Sequence, residues 1–397
     1  MVADPVQAPA GEAESAASLA AHAERALEQD RAAEAAALFG RALGARGLDD
    51  ETARVTYLGL ARAHQRLHDC AAVIRSYDAY LERFPAASDR PVVDAQQGAC
   101  QAELGQWEAS SASFGRVAEA QGQLPSTRIE ALARQGYALF NLERFGEAER
   151  VLTQADAVFE QAQRDQTERF GSYYFVGMAR FYRGAVLHRR FRDVAIVLPE
   201  NVMAARFKQK LALLTQAQEA YNHAIKAKHM FWVSAAGFQL GNLFGEFYDA
   251  LMYAPIPQWL EPAQRQVYYE ELKKQLRPVV DKAVWVLEKN LETARRLGYE
   301  SEFIAQTEAK LSHLQSVLES GEAGLGQPHV RLIADATDPS GAAANPDAGP
   351  SARQIEGSAG DRPDAGPGDG RGDGWTGGGT AAPDRKLYVP PMTPLVP

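Results

Sequence analysis

Between residues 13 and 320 apolar side chains recur at i, i+3, i+4 and i+7, and strand-like alternation is almost absent. That spacing places one apolar stripe along each helix, so the body is predicted to be all-α. Pro85, Pro91, Pro125, Pro199, Pro255, Pro257 and Pro262 fall between periodic segments and punctuate them, because a residue without an N–H is tolerated there. Pro278 is different. It lies inside the periodic stretch KKQLRPVVDKAVW, which predicts either a kink or the first turn of a new helix.

A longer period lies over the short one. Blocks starting at residues 16, 54, 91 and 129 repeat the same order of small and bulky positions. The first holds Leu19, Ala23, Ala35, Phe39 and Ala42; the second Tyr57, Leu60, Ala61, His64, Tyr77 and Pro85. The third holds Gly98, Trp107 and Phe114; the fourth Leu132, Gly136, Phe145, Ala148, Leu152 and Ala155. Val73 and Tyr80 stand in the second block where a small residue is expected. Further on, Phe175, Met178, Ala179 and Tyr182 open a looser unit that Ala217, Tyr221 and Ala224 close around the insertion RRFRDVAIVLPEN. A sixth unit runs from Leu240, Gly241 and Phe244 to Ala283 and Leu287, with YAPIPQWLEPA as its connection, and residues 301–318 read as a polar terminal helix that seals the last layer.

These residues resemble the tetratricopeptide repeat superfamily over 16–155, and more loosely over 170–300. The resemblance implies a right-handed α-solenoid of about six helix hairpins with a capping helix, no shared enzymatic activity, and a concave face of first helices that holds a partner peptide or helix. The family's groove positions, carried over one by one, fall on Arg62, Gln65 and Arg66, on Gln96, and on Arg134, Tyr137, Phe140 and Asn141. The Lys and Asn set with which some members clamp a terminal carboxylate is missing, which disfavours chaperone-tail binding. The stretch from Phe238 to Asn290 also resembles the distal part of tetratricopeptide proteins from myxobacteria, including envelope components associated with gliding motility. That second resemblance implies a scaffold in an envelope complex.

Composition divides the chain. Residues 321–397 hold 15 of its 33 glycines and 11 of its 21 prolines, a density that packed helices do not tolerate. The expected organisation is a leader over 1–12, regular repeats over 13–165, a divergent helical region over 166–320, a disordered tether over 321–384 and a short apolar, proline-rich motif over 385–397. In that motif Leu387, Tyr388, Val389 and Met392 return apolar contacts that dock in a partner's groove, dock on the chain itself, or belong to a frayed end.

The formal net charge of -9 argues against a surface given over wholly to nucleic acid or anionic membrane. Residues 180–228 oppose that balance with ten Lys or Arg against three acids, among them Arg189, Arg190, Arg192, Arg206, Lys208 and Lys210. The segment reads either as a dock for an acidic partner, nucleic acid or anionic lipid in a regulatory adaptor, or as a solvated outer face. No aromatic platform interleaves the arginines as single-strand binding requires.

Catalytic signatures are absent. The pair His64 and His68 in HQRLH shares a helical face, but Gln65 stands where a zinc peptidase needs its glutamate. GDGWTG at 372–377 matches a phosphate-loop spacing without a strand before it or a helix after it, and RGD at 371–373 is expected in a segment of that composition. Cys70 and Cys100 are too few for a disulfide framework and read as small buried residues at a repeat seam. The expectation is therefore a non-enzymatic protein-binding scaffold without metal or cofactor. No apolar run is long enough to span a bilayer, and the N-terminus lacks the basic start and apolar core of an export signal. As it stands the sequence reads as cytoplasmic, or as periplasmic or envelope-associated if such a signal has been removed.

Overall fold

The computed structural model describes residues 14–256 and 261–320, and among them every regular element is helical. Thirteen helices follow one another as successive hairpins in the manner of tetratricopeptide repeats. The first four pairs are α1 (Ala16–Glu28) with α2 (Ala32–Leu43), α3 (Asp50–Arg66) with α4 (Cys70–Arg83), α5 (Arg90–Glu103) with α6 (Trp107–Glu119), and α7 (Pro125–Asn141) with α8 (Phe145–Asp165). Then come α9 (Tyr174–Asp193), α10 (Glu200–Ile225), α11 (Met230–Met252), α12 (Pro262–Leu297) and α13 (Glu302–Ser320). The leader, the tether and the motif around Leu387, Tyr388, Val389 and Met392 lie outside the described residues, as do GDGWTG and RGD.

The long period has a direct physical cause. In each of the first four hairpins a small residue of the first helix lies 16 positions before a large residue of the second: Ala23 and Phe39, Ala61 and Tyr77, Gly98 and Phe114, Gly136 and Leu152. All eight are buried. A Cβ added to Gly98 would stand 2.9 Å from the Phe114 ring, and one added to Gly136 would stand 2.4 Å from Leu152. A close approach of two helices therefore fixes these glycines. The turns obey the same period, since Asp30, His68, Gly105 and Glu143 occupy equivalent places in the four hairpins and all have positive φ. His68 is thus an exposed turn residue, while His64 stays on α3 and is half-buried. Asp49 and Asp69 begin α3 and α4 by accepting hydrogen bonds from the Thr52 and Ala72 backbone N–H groups.

Val73 and Tyr80 fit despite their size. Both are fully buried, and the Tyr80 hydroxyl donates to Asp89 at 2.7 Å. Cys70 and Cys100 are free and buried in the same cluster, with the Cys70 thiol donating to Glu103 at 3.0 Å. Burial pushes both thiols up, which makes them poor nucleophiles.

The described chain divides into two compact units. The first comprises the residues up to Asp193 together with Thr215–Gly237; the second comprises Val194–Leu214 and the residues from Phe238 onward. In the first unit Gly184 of α9 meets the ring of Tyr221 of α10, with 2.7 Å left for a Cβ. In the second, Gly241 of α11 meets Leu287 of α12, with 2.4 Å left. The insertion emerges as the non-helical segment 194–199. α12 runs unbroken through Pro278, which excludes a new helix starting there. It opens on a reciprocal capping box between Glu261 and Gln264 and closes at Gly298, whose φ is +59°. α13 closes on α12 through a buried hydrogen bond of 3.1 Å from Asn290 to Thr307.

Candidate functional site

The groove positions inferred from the repeat pattern lie on the first helices of consecutive hairpins. Several of them tie one hairpin to the next. Arg62 reaches Glu24 of α1 at 2.6 Å, and Gln65 donates to Gln96 of α5 at 2.8 Å. Arg66 donates to the Leu27 carbonyl and lies 3.6 Å from Asp30. Arg62, Arg66 and Gln96 remain exposed, so the polar rungs across α1, α3 and α5 face solvent.

In α7 the same positions turn inward. Arg134 bonds to Glu130 at 3.0 Å and stacks on Phe114 and Phe175, keeping only 14% of its side chain exposed. Tyr137 sits between Trp107 and Tyr182 with centroids 5.4 and 4.8 Å away, and burial raises its hydroxyl's pKa. Asn141 donates to the Tyr137 carbonyl within the helix. Phe140 is 5% exposed and packs on Phe145 and Tyr182, so its ring holds a seam between hairpins.

The basic stretch is divided between the two units. Arg189, Arg190 and Arg192 belong to the first unit, whereas Arg206, Lys208 and Lys210 belong to the second. Arg190 is paired with Glu149 at 2.5 Å, and Arg189 lies 3.5 Å from Glu143. Lys210, expected on a basic surface, is 4% exposed and donates to the Val194 carbonyl at 3.0 Å, because it anchors the inserted segment. Of the six, Arg206 and Lys208 are exposed.

A second group of polar residues escaped the sequence reading because its members are far apart in the chain. Asp156 of α8 accepts from Arg180 Nε of α9 at 2.7 Å, and both side chains are more than nine-tenths buried. The other Asp156 oxygen lies 3.3 Å from His223 Nδ1 of α10. His223 has its pKa lowered, first by burial and next by Arg180. Asp156, Glu160 and His223 also bring three donor atoms within 4.8 Å of one another. Asp156 is already neutralised by a buried guanidinium, so the cluster is an ion-pair network and no cation is assigned to it. His223 borders a groove of about 480 Å³ whose rims are α8 and α10 and whose floor carries Arg183 and Leu187 of α9.

The described helices contain none long and apolar enough to cross a membrane. No family model matches the sequence, and no curated protein matches it. Among solved structures, a TPR repeats protein from Bacteroides fragilis aligns with 68% of this chain and 99% of its own, at 13% identity and a TM-score of 0.32. A tetratricopeptide repeat protein from Parabacteroides merdae aligns with 74% of this chain and 99% of its own, at 12% identity and a TM-score of 0.34.

Proposed function

We propose that the chain is a non-enzymatic scaffold that holds a partner peptide or helix on the face formed by α1, α3, α5 and α7. The observation that carries this reading is the run of exposed polar rungs, Arg62 with Glu24 and Gln65 with Gln96, which crosses successive first helices and offers donors and acceptors at regular intervals. Arginine fits such a surface because its stem covers apolar area while its fork directs hydrogen bonds. The half-buried Tyr137 ring supplies an aromatic anchor beside them. Tyr182 packs against both that ring and Phe140.

A photo-crosslinking residue placed at Gln96 tests the reading in the full chain. It is expected to trap a defined partner, whereas the same residue at Arg75 on the exposed side of α4 traps none. Equal labelling from both positions would contradict a directional surface.

A further inference from the structure

We infer that the groove between α8 and α10 binds a carboxylate-bearing peptide segment, with Arg183 as its principal recognition group. The groove is built of Arg183, Gln216, Glu219, Asn222, His223 and Lys226, with Glu149 at its edge. Arg183 Nε is inaccessible to solvent and has no hydrogen-bond partner among the described residues. An incoming oxyanion is therefore met by the terminal N–H groups of Arg183, which lines the groove and makes no hydrogen bond or ion pair among the described residues.

The neighbouring groove shows what an occupied arginine looks like. Between α6 and α8, a groove of about 410 Å³ is bordered by Arg128, and there Nε donates to the Ala118 carbonyl at 3.3 Å. The chain itself thus supplies an acceptor to Arg128 Nε, whereas Arg183 Nε has none among the described residues.

Charge and size select the ligand. Glu149 is committed to Arg190 at 2.5 Å, which leaves Arg183 and Lys226 against the exposed Glu219. The surplus of one positive charge matches a single carboxylate, while Glu219 repels a dianionic phosphate. A volume of about 480 Å³ exceeds what a lone ion fills, and the Gln216 and Asn222 amides can each donate to and accept from a peptide backbone. Asp156 holds His223 at the wall without consuming Arg183. This site is separate from the first-helix surface, so either can fail without the other.

Fluorescence anisotropy on the full chain tests it with a labelled hexapeptide bearing one central glutamate, alongside its glutamine and phosphoserine counterparts. The glutamate peptide is expected to bind saturably and the glutamine peptide about tenfold more weakly, the scale of a charge-assisted hydrogen bond. Arg183→Gln should weaken the glutamate peptide about tenfold, Arg183→Lys less, and Glu219→Gln should tighten it. Arg62→Glu should change nothing. Circular dichroism confirms that each variant is folded. Absent binding, equal binding of the glutamate and glutamine peptides, indifference to Arg183→Gln in a folded protein, or a preference for phosphoserine would each overturn the proposal.

Discussion

The two compact units keep the same packing device but differ in which of their buried polar side chains find partners. Each uses glycine against a large side chain to bring helices together, as at Gly136 and Leu152 in the first unit and Gly241 and Leu287 in the second. In the first unit buried acids and a hydroxyl find partners among the described residues, whereas Arg183 Nε, His229 Nδ1 and Trp232 Nε1 do not: Asp94 is held by Arg116 at 2.6 Å, Asp156 by Arg180, and the Ser110 hydroxyl donates to the Gly98 carbonyl at 2.9 Å. In the second, Gln239 and Asn242 are wholly buried on α11, and neither amide has a hydrogen-bond partner among the described residues. Asp249, further along α11, has a buried unpartnered oxygen and is pushed up to about 7 by burial, against the opposing pull of Lys310. Close helix approach is thus separable from polar satisfaction, and in the second unit the unmet amides are concentrated on α11.

Removing a partner in the first unit should have the largest effect. Arg180→Met leaves Asp156 buried beside only a half-buried imidazole, and a loss of about 3 kcal/mol is expected from chemical denaturation. An unchanged midpoint would show that the pair is not what satisfies this core. Gly136→Val comes next, with a loss of about 2 kcal/mol expected from overpacking against Leu152, and Gly241→Val should cost the second unit a similar amount. If both are tolerated, the close approach is not a constraint.

The comparison reverses sign at Gln239 and Asn242. Replacing both with Leu should raise stability by about 1 kcal/mol, because two unpartnered amides are removed at nearly constant volume. Destabilisation would reveal that those amides are satisfied in solution. The smallest effect is at Asp249. Its folded pKa lies above the ordinary aspartate value of 3.8, so the folded state favours the protonated acid. Its contribution is intact below that value, falls as pH rises towards about 7, and is flat above. Thermal melts at pH 5 and pH 8 should therefore differ by a few degrees more in the native chain than in Asp249→Asn. Equal differences would place Asp249 in water.

Much of the fold was legible because one distance controls it. Ala23, Ala61, Gly98 and Gly136 had to be small, and their large partners sit 16 residues on, so packing left a periodic trace in the sequence. The same trace named Gly241 and Leu287 once insertions were allowed, and it named Tyr221 without the Gly184 that packs on it. What remained illegible is what spacing does not encode. Pro278 fits inside α12, although a proline there normally interrupts a helix. Lys210 reads as surface charge but caps a carbonyl of the inserted segment, and Phe140, a groove position by register, is turned into the seam by Tyr182. The Asp156, Arg183 and His223 groove draws on three helices, and none of its members carries a local motif.

The central claim is that exposed polar side chains on consecutive first helices hold a partner. The direct test is affinity capture with the native chain and with the combined variant Arg62→Glu, Arg66→Glu and Gln96→Glu, matched for solubility and helical content. The account predicts that a principal partner captured by the native chain is lost from the variant, at a cost of about 2 kcal/mol or more per anchor. Undiminished capture by the folded variant would contradict it.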